Sequence, residues 1–250
     1  MRKFGLIGYP LGHSFSKKYF TGKFANEHLT DCSYENFPIG NISMLPDIIA
    51  AEQSLCGLNV TIPYKTAVIQ YVDILDNEAS SVGSVNVLKI KRAESGSVIY
   101  GYNSDVTGIR DSIAPYISGK IKNALVLGTG GASKAVCYTL KSLGISVIQV
   151  SRNAKPDAIT YNDVNASIIN KVSLIVNTTP LGMYPDISSR PDLNYNLIGN
   201  EHILFDLVYN PEMTWFLKEG KKRGATIIPG LKMLYSQAEK SWSLWNDLSD

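Results

Sequence analysis

Short apolar runs alternate with stretches of helical spacing along most of this chain. The runs Lys3–Ile7, Tyr34–Phe37 and Cys56–Thr61 read as strands, and Phe15–Leu29 and Ser43–Glu52 between them carry the helical period. That alternation predicts an α/β architecture with a parallel sheet. Asn86–Lys91 and Val98–Tyr102 break the rhythm: they are joined by only a few residues, with a turn at Glu94-Ser95-Gly96, which predicts a hairpin and therefore a mixed sheet in the first half. A helix is expected to open near Ser104 and Asp105, with Gly119 just past its end.

A second series starts at Asn123. Its strands are expected at Ala124–Leu127, Ser146–Val150, Leu174–Asn177, Ile203–Leu207 and Thr226–Ile228, with Pro211 at a helix start, Gly224 after the basic end of that helix, and a last helix over about Leu231 to Leu248. The restart of the sheet predicts two domains. Residues 1–104, completed by the C-terminal helix at about 231–250, form the first, and residues 105–230 form the second.

The first strand of the second series runs straight into Gly128-Thr129-Gly130-Gly131-Ala132-Ser133 and then an amphipathic helix. Glycines in that place let the backbone turn tightly and approach a pyrophosphate, whose charge sits on the helix N-terminus. Ser133 replaces the third glycine, so a ligand-free turn or a methyltransferase-type loop competes with dinucleotide binding. The end of the following strand separates these readings. An NAD site, or a methyltransferase, offers an acid there for the ribose hydroxyls. This chain has Ser151-Arg152-Asn153, a guanidinium suited to a 2′-phosphate, and so favours NADP.

Composition narrows the partners. A net charge of +2, with no basic run longer than Lys221-Lys222-Arg223, gives no reason to expect nucleic acid, and no segment is long and apolar enough to span a membrane. The N-terminal apolar stretch is short and is broken by Gly8, Pro10 and Gly12, so it reads as a first strand and not as a signal peptide. Cys32, Cys56 and Cys137 are scattered and odd in number, which argues against disulfides or zinc and for a reducing cytoplasm. The three histidines fall in no catalytic pattern.

Polar residues cluster at two strand ends in the first half. In Gly57-Leu58-Asn59-Val60-Thr61-Ile62-Pro63-Tyr64-Lys65 a strand runs out into polar side chains and Pro63 starts a helical turn carrying Lys65. Gly101-Tyr102-Asn103-Ser104-Asp105 ends a strand at a helix start. Carboxyl ends of strands are where α/β proteins bind ligands. Each has a plainer reading too, Lys65 as a solvated charge and Asp105 as an N-cap.

These runs resemble the motifs of the shikimate dehydrogenase family. So do Gly8-Tyr9-Pro10-Leu11-Gly12-His13-Ser14-Phe15-Ser16, Gly83-Ser84-Val85-Asn86, Asn177-Thr178-Thr179-Pro180-Leu181-Gly182-Met183, Asp206-Leu207-Val208-Tyr209-Asn210-Pro211, and Pro229-Gly230-Leu231 followed by Gln237. The resemblance implies reversible NADPH-dependent reduction of 3-dehydroshikimate to shikimate, a step of aromatic amino-acid biosynthesis. It also implies an N-terminal substrate domain, a Rossmann-type NADP domain, and a last helix returning to the first domain. It assigns catalysis to Lys65 and Asp105, and the substrate carboxylate to Ser14 and Ser16 with Tyr209 nearby. The ring hydroxyls fall to Asn59, Thr61, Asn86, Asp105 and Gln237. Gly128, Gly130, Gly131 and Ala132 are expected on the pyrophosphate, Ser151, Arg152 and Asn153 on the adenosine phosphate, and Leu207 and Gly230 at the nicotinamide end. The protein is expected to act on a small molecule as a monomer or homodimer.

Four positions depart from the family pattern: Val87 and Ser104 stand where threonine is usual, Asn77 where an acid is common, and Asn153 where threonine often closes the adenosine-phosphate motif. Two rivals remain. One is an NAD-dependent quinate/shikimate dehydrogenase, which Ser151-Arg152 without an acid argues against. The other is a non-catalytic binding protein on this fold, which would not need both Lys65 and Asp105.

Overall fold

The computed structural model describes residues 1–12, 15–94, 96–117 and 121–247. The chain forms two compact units, one of Met1–Ser104 with Ala238–Asp250 and one of Asp105–Gln237.

Unit 1 runs β1 (Arg2–Gly8), α1 (Phe15–Asn26), β2 (Cys32–Pro38), α2 (Leu45–Ala51), β3 (Leu55–Val60), β4 (Ile74–Leu75), α3 (Asn77–Val82), β5 (Val87–Ala93) and β6 (Gly96–Tyr102). Its sheet has the order β2-β1-β3-β5-β6-β4. β1 pairs in parallel with β2 and β3, β5 is antiparallel to β3 and β6, and β4 is parallel to β6. The mixed sheet and the hairpin therefore stand as expected. One face holds an aliphatic core that includes Ile7, Leu45, Leu55, Leu58 and Leu88. The other is aromatic: Phe4, Phe20, Phe24 and Tyr34 pack with Trp245 from the last helix. Gly57 makes room for that tryptophan, since a Cβ there would lie 2.3 Å from the indole nitrogen.

Unit 2 runs α4 (Asp105–Ile113), β7 (Asn123–Leu127), α5 (Gly131–Ser142), β8 (Ser146–Ser151), β9 (Ile159–Thr160), α6 (Ala166–Ile169), β10 (Leu174–Asn177), β11 (Ile203–Asp206), α7 (Trp215–Lys222) and β12 (Thr226–Ile228). α8 (Leu231–Asn246) begins in unit 2 and ends in unit 1. The sheet order is β12-β11-β10-β7-β8-β9, and every pairing is parallel. Counted within the unit this is 3-2-1-4-5-6, the doubly wound order whose crevice opens where the winding reverses, between β7 and β10.

Two sequence expectations shift. Pro211 does not start α7; the helix begins at Trp215, where the Thr214 hydroxyl accepts from the Leu217 amide and donates to buried Asp206. The helix after Asp105 ends at Ile113 and passes into a short 3-10 turn over Ala114–Tyr116, while Gly119 lies outside the described residues. Among the described residues no helix is long and apolar enough to cross a membrane.

Candidate active site

In unit 1 the expected substrate residues sit where β3 and β6 end. Val60 donates its amide to the Asn86 carbonyl, Asn86 donates to that of Tyr102, and Val85 donates to that of Lys65 at 2.7 Å. Thr61 donates to Ile7 of β1, and Tyr64 is tied twice, through its amide to Thr61 and through its hydroxyl to the Ile39 carbonyl. These bonds fix the backbone of the Thr61–Lys65 turn while Thr61 and Lys65 remain half-buried. Lys65 stands in an irregular turn and not in a regular helix.

Asn59 and Asn86 are both buried, at 6% and 3% exposure, which polar amides tolerate only when hydrogen-bonded. Asn59 accepts from the Tyr34 hydroxyl at 2.8 Å and donates to Ser241 of α8 at 2.9 Å. Asn86 accepts the Ser104 amide at 2.7 Å and donates to the Ser104 hydroxyl at 3.0 Å. Ser16 lies in the first turn of α1 and hydrogen-bonds Tyr34, whose phenol burial pushes far above its ordinary range. Ser14, the other expected carboxylate ligand, lies outside the described residues. Ser104 keeps the hydroxyl of the threonine it replaces, and the Asn86 bonds show what that hydroxyl does.

Unit 2 carries the nucleotide elements. Gly128 has φ +116°, a conformation that favours glycine, and a Cβ there would lie 2.5 Å from the Thr178 hydroxyl oxygen. Gly130 stands at the start of α5, has no side-chain cap, and would point a Cβ into open space. A helix start of that kind presents its amides outward and leaves room for an anion, which is what a pyrophosphate requires. Ser133 weakens the motif on paper, yet its hydroxyl donates to the Gly128 carbonyl at 2.7 Å and accepts from Gln149 of β8 at 2.9 Å, so it ties the loop to the neighbouring strand. Gly131 and Ala132 form the first turn of α5, partly exposed.

The end of β8 lies directly beside this loop, with the Gly128 amide bonded to Val150. Ser151 is buried, and its hydroxyl accepts the Asn153 amide at 3.4 Å; Arg152 and Asn153 are exposed. Lys155 escapes the sequence reading. Its ammonium donates to Thr129 at 2.8 Å, which places a cation on the glycine loop. Only the spacing within Arg152-Asn153-Ala154-Lys155 could have hinted at it. At the far edge of the crevice Gly230 packs on the Leu207–Val208 backbone, where a Cβ would lie 2.6 Å from the Leu207 carbonyl oxygen. The structure thus brings together the two residues expected at the nicotinamide end. Tyr209 is half-buried two residues further on, and burial raises its phenol.

Asp105 is buried at the first position of α4, and Gln237 on α8 borders Gly108, one turn along that helix. Asn77 opens α3, where Asp76 and not Asn77 provides the cap, accepting from Glu78 and Ala79. His202 is structural: its Nδ1 accepts the Gly199 amide, which leaves Nε2–H to face the Ile169 carbonyl.

Sheet order, glycine loop and a basic strand end in place of an acid define an α/β protein of the dinucleotide-binding oxidoreductase class. Residues 6–88 match the family model described as shikimate dehydrogenase substrate binding domain. A shikimate dehydrogenase (NADP(+)) of Methanosphaera stadtmanae is 35% identical over 260 residues, covering 96% of this chain and 90% of its own. The crystal structure of shikimate dehydrogenase 1 from Peptoclostridium difficile is 34% identical with a TM-score of 0.83, covering 100% of this chain and 93% of its own. Shikimate 5-dehydrogenase from Thermus thermophilus, solved in complex with NADP(H) and shikimate, is 29% identical with a TM-score of 0.85, covering 98% of this chain and 94% of its own. The chain belongs to the shikimate dehydrogenase family.

Proposed function

We propose that the protein is an NADP-dependent shikimate dehydrogenase that reduces 3-dehydroshikimate to shikimate and runs the reaction in reverse. The observation that carries this reading is the pairing of a polar strand-end cluster in unit 1 with a glycine loop flanked by Arg152 and Lys155, and no acid, in unit 2. NADPH supplies the reducing equivalent at the carbonyl carbon.

The chain's residues do the rest. Gly128, Gly130, Gly131 and Ala132 hold the pyrophosphate; Arg152, with Ser151, Asn153 and Lys155, holds the adenosine phosphate; Leu207 and Gly230 border the nicotinamide. Ser14 and Ser16 bind the substrate carboxylate with Tyr209 nearby, since hydroxyl donors hold a carboxylate without a full counter-charge. Asn59, Thr61, Asn86 and Gln237 hold the ring hydroxyls. Lys65 gives a proton to the carbonyl oxygen as negative charge gathers there, and as a neutral amine takes it back in the oxidation direction. Asp105 is the carboxylate that orients and tunes that lysine. Residues 1–104 with the returning helix make the substrate domain, and the glycine-loop unit makes the NADP domain.

The three free cysteines suit a reducing cytoplasm, and the chemistry needs no macromolecular partner beyond a monomer or homodimer. The test is absorbance at 340 nm with shikimate and quinate crossed against NADP and NAD. Shikimate with NADP is expected to be much the best pair. Equal or faster rates with quinate and NAD would overturn the assignment.

A further inference from the structure

Unit 1 contains a line of hydrogen bonds that none of the assigned roles uses. It passes from Ser16 to Tyr34, then to Asn59, Ser241, Ser104 and Asn86. The bonds at the two asparagine amides are directional. The Ser104 amide points at Asn86 Oδ1 at 2.7 Å, so the other end of that amide is the donor, and it meets the Ser104 hydroxyl at 3.0 Å. The Tyr34 hydroxyl donates to Asn59 Oδ1 at 2.8 Å, so Asn59 Nδ2 faces Ser241 at 2.9 Å and the Asn86 carbonyl at 3.4 Å. The Ser104 and Ser241 hydroxyls close the line at 3.1 Å.

We propose that Tyr34 and Ser241 are positioning residues: Tyr34 fixes which end of the Asn59 amide donates, and Ser241 holds that donor end and joins it to Ser104, whose backbone amide fixes Asn86. In doing so they couple the carboxylate end of the substrate to its hydroxyl end. The proposal rests on the reading of Ser16, Asn59 and Asn86 as substrate ligands. An asparagine amide is nearly symmetric in shape, and one free to rotate by half a turn presents a donor or an acceptor at the same place. Locked, it matches only one arrangement of ring hydroxyls, and a mismatched one leaves a buried group unpaired. Tyr34 is suited to the lock because its buried hydroxyl keeps its proton and donates it to Asn59 Oδ1 at 2.8 Å. Ser241 has no exposed surface and sits between Asn59 and Ser104, which it reaches from the last helix, 182 residues along the chain from Asn59.

Tyr34→Phe, Ser241→Ala and Ser241→Thr test this. Steady-state kinetics would compare shikimate with an analogue that keeps the carboxylate and the reacting hydroxyl but lacks the neighbouring ring hydroxyls. Tyr34→Phe and Ser241→Ala are expected to raise KM for shikimate roughly tenfold, by loss of one oriented hydrogen bond. They should lower kcat less and leave KM for NADP in place, and Ser241→Ala, which does not touch Ser16, should barely affect the analogue. Ser241→Thr, which restores a hydroxyl, should recover most of the loss. Should Tyr34→Phe fail to fold, Ser241→Ala carries the same comparison. Folded variants with unchanged KM for shikimate, or equal losses of Ser241→Ala on shikimate and analogue, would overturn the positioning role. Wild-type turnover of shikimate with NADP in the same assay upholds the activity independently, and its absence would overturn both.

Discussion

Single side chains divide here into those that do chemistry and those that hold them. Lys65→Ala should lower turnover by roughly 10²–10⁴ fold, the usual share of a positioned acid–base group, while NADP and shikimate still bind. Asp105→Asn should do similar damage, and the double variant should be little worse than the more damaging single one, as expected of two residues proposed to act as a unit. Single-turnover measurements on folded protein check this, and near-normal turnover in Lys65→Ala would mean that the proton comes from elsewhere. Asp206 is a different kind of residue. It is fully buried at the end of β11, and burial pushes its carboxyl up to about 6, against hydrogen bonds from Thr214, Val208 and Asn177 that pull it down. Its folded value lies above the ordinary carboxylate range of about 3.9, so the folded state holds the proton more tightly than the unfolded chain. Its contribution to stability is therefore full below that ordinary range and is lost as pH rises through about 6. The loss amounts to about 3 kcal/mol at neutral pH. Urea unfolding of wild type and Asp206→Asn from pH 4 to pH 7.5 should show the wild type losing ground to the variant across that window. A difference that does not change with pH would refute it.

Among the elements, the segment leaving β8 is the one proposed to decide cofactor choice. Arg152→Ala should raise KM for NADP about 10- to 150-fold, the range of one charge-assisted contact, and leave KM for shikimate nearly in place. Lys155→Ala should act in the same direction, since its ammonium is anchored on the glycine loop beside that site. If both variants keep the wild-type KM, the β8 end does not read the 2′-phosphate. The strand ends were legible in the sequence because long apolar runs such as Ala124–Leu127 and Leu174–Asn177 stop abruptly at polar or glycine residues. β4 and β9 were not, since two-residue edge strands leave no periodicity to read. α3 and α6 are too short for a helical stripe. Pro211 misled for a physical reason: proline suits the first turn of a helix as well as the loop before it, and the real start is set by Thr214, whose hydroxyl is anchored on Asp206 across the fold. Tyr34 and Ser241 gave no signal because their meaning lies in contacts between distant segments.

At the scale of the whole molecule, ligand binding and stability are linked. A cofactor that binds only the folded state should stabilise it by about 2.7 kcal/mol at one hundred times its dissociation constant. Thermal melts should therefore shift clearly upward with NADP and much less with equal NAD; equal shifts would count against the reading of Arg152. The same scale exposes the weight carried by the last helix. Trp245 stacks on Phe4 and donates to the Leu88 carbonyl at 3.0 Å, while Glu239 bridges to Lys23 and Tyr19 on α1. Trp245→Ala should cost about 3–5 kcal/mol by opening a cavity in the aromatic core. Chemical denaturation measures that loss directly, and a cost under 1 kcal/mol would show that the core closes around the gap.

The path of α8 also bears on how the chain is born. Unit 2 is one unbroken stretch, Asp105–Gln237, and all of it emerges from the ribosome before the segment that begins at Ala238. Unit 1 is split, and the tryptophans of its aromatic core and Ser241, one of the partners of Asn59, arrive only with that late segment. During synthesis Phe4, Phe20 and Phe24 therefore lack their tryptophan partners until unit 2 has been made. The unit begun before unit 2 is therefore completed after it, and its exposed aromatic face is what a nascent-chain chaperone would be expected to cover in the interval.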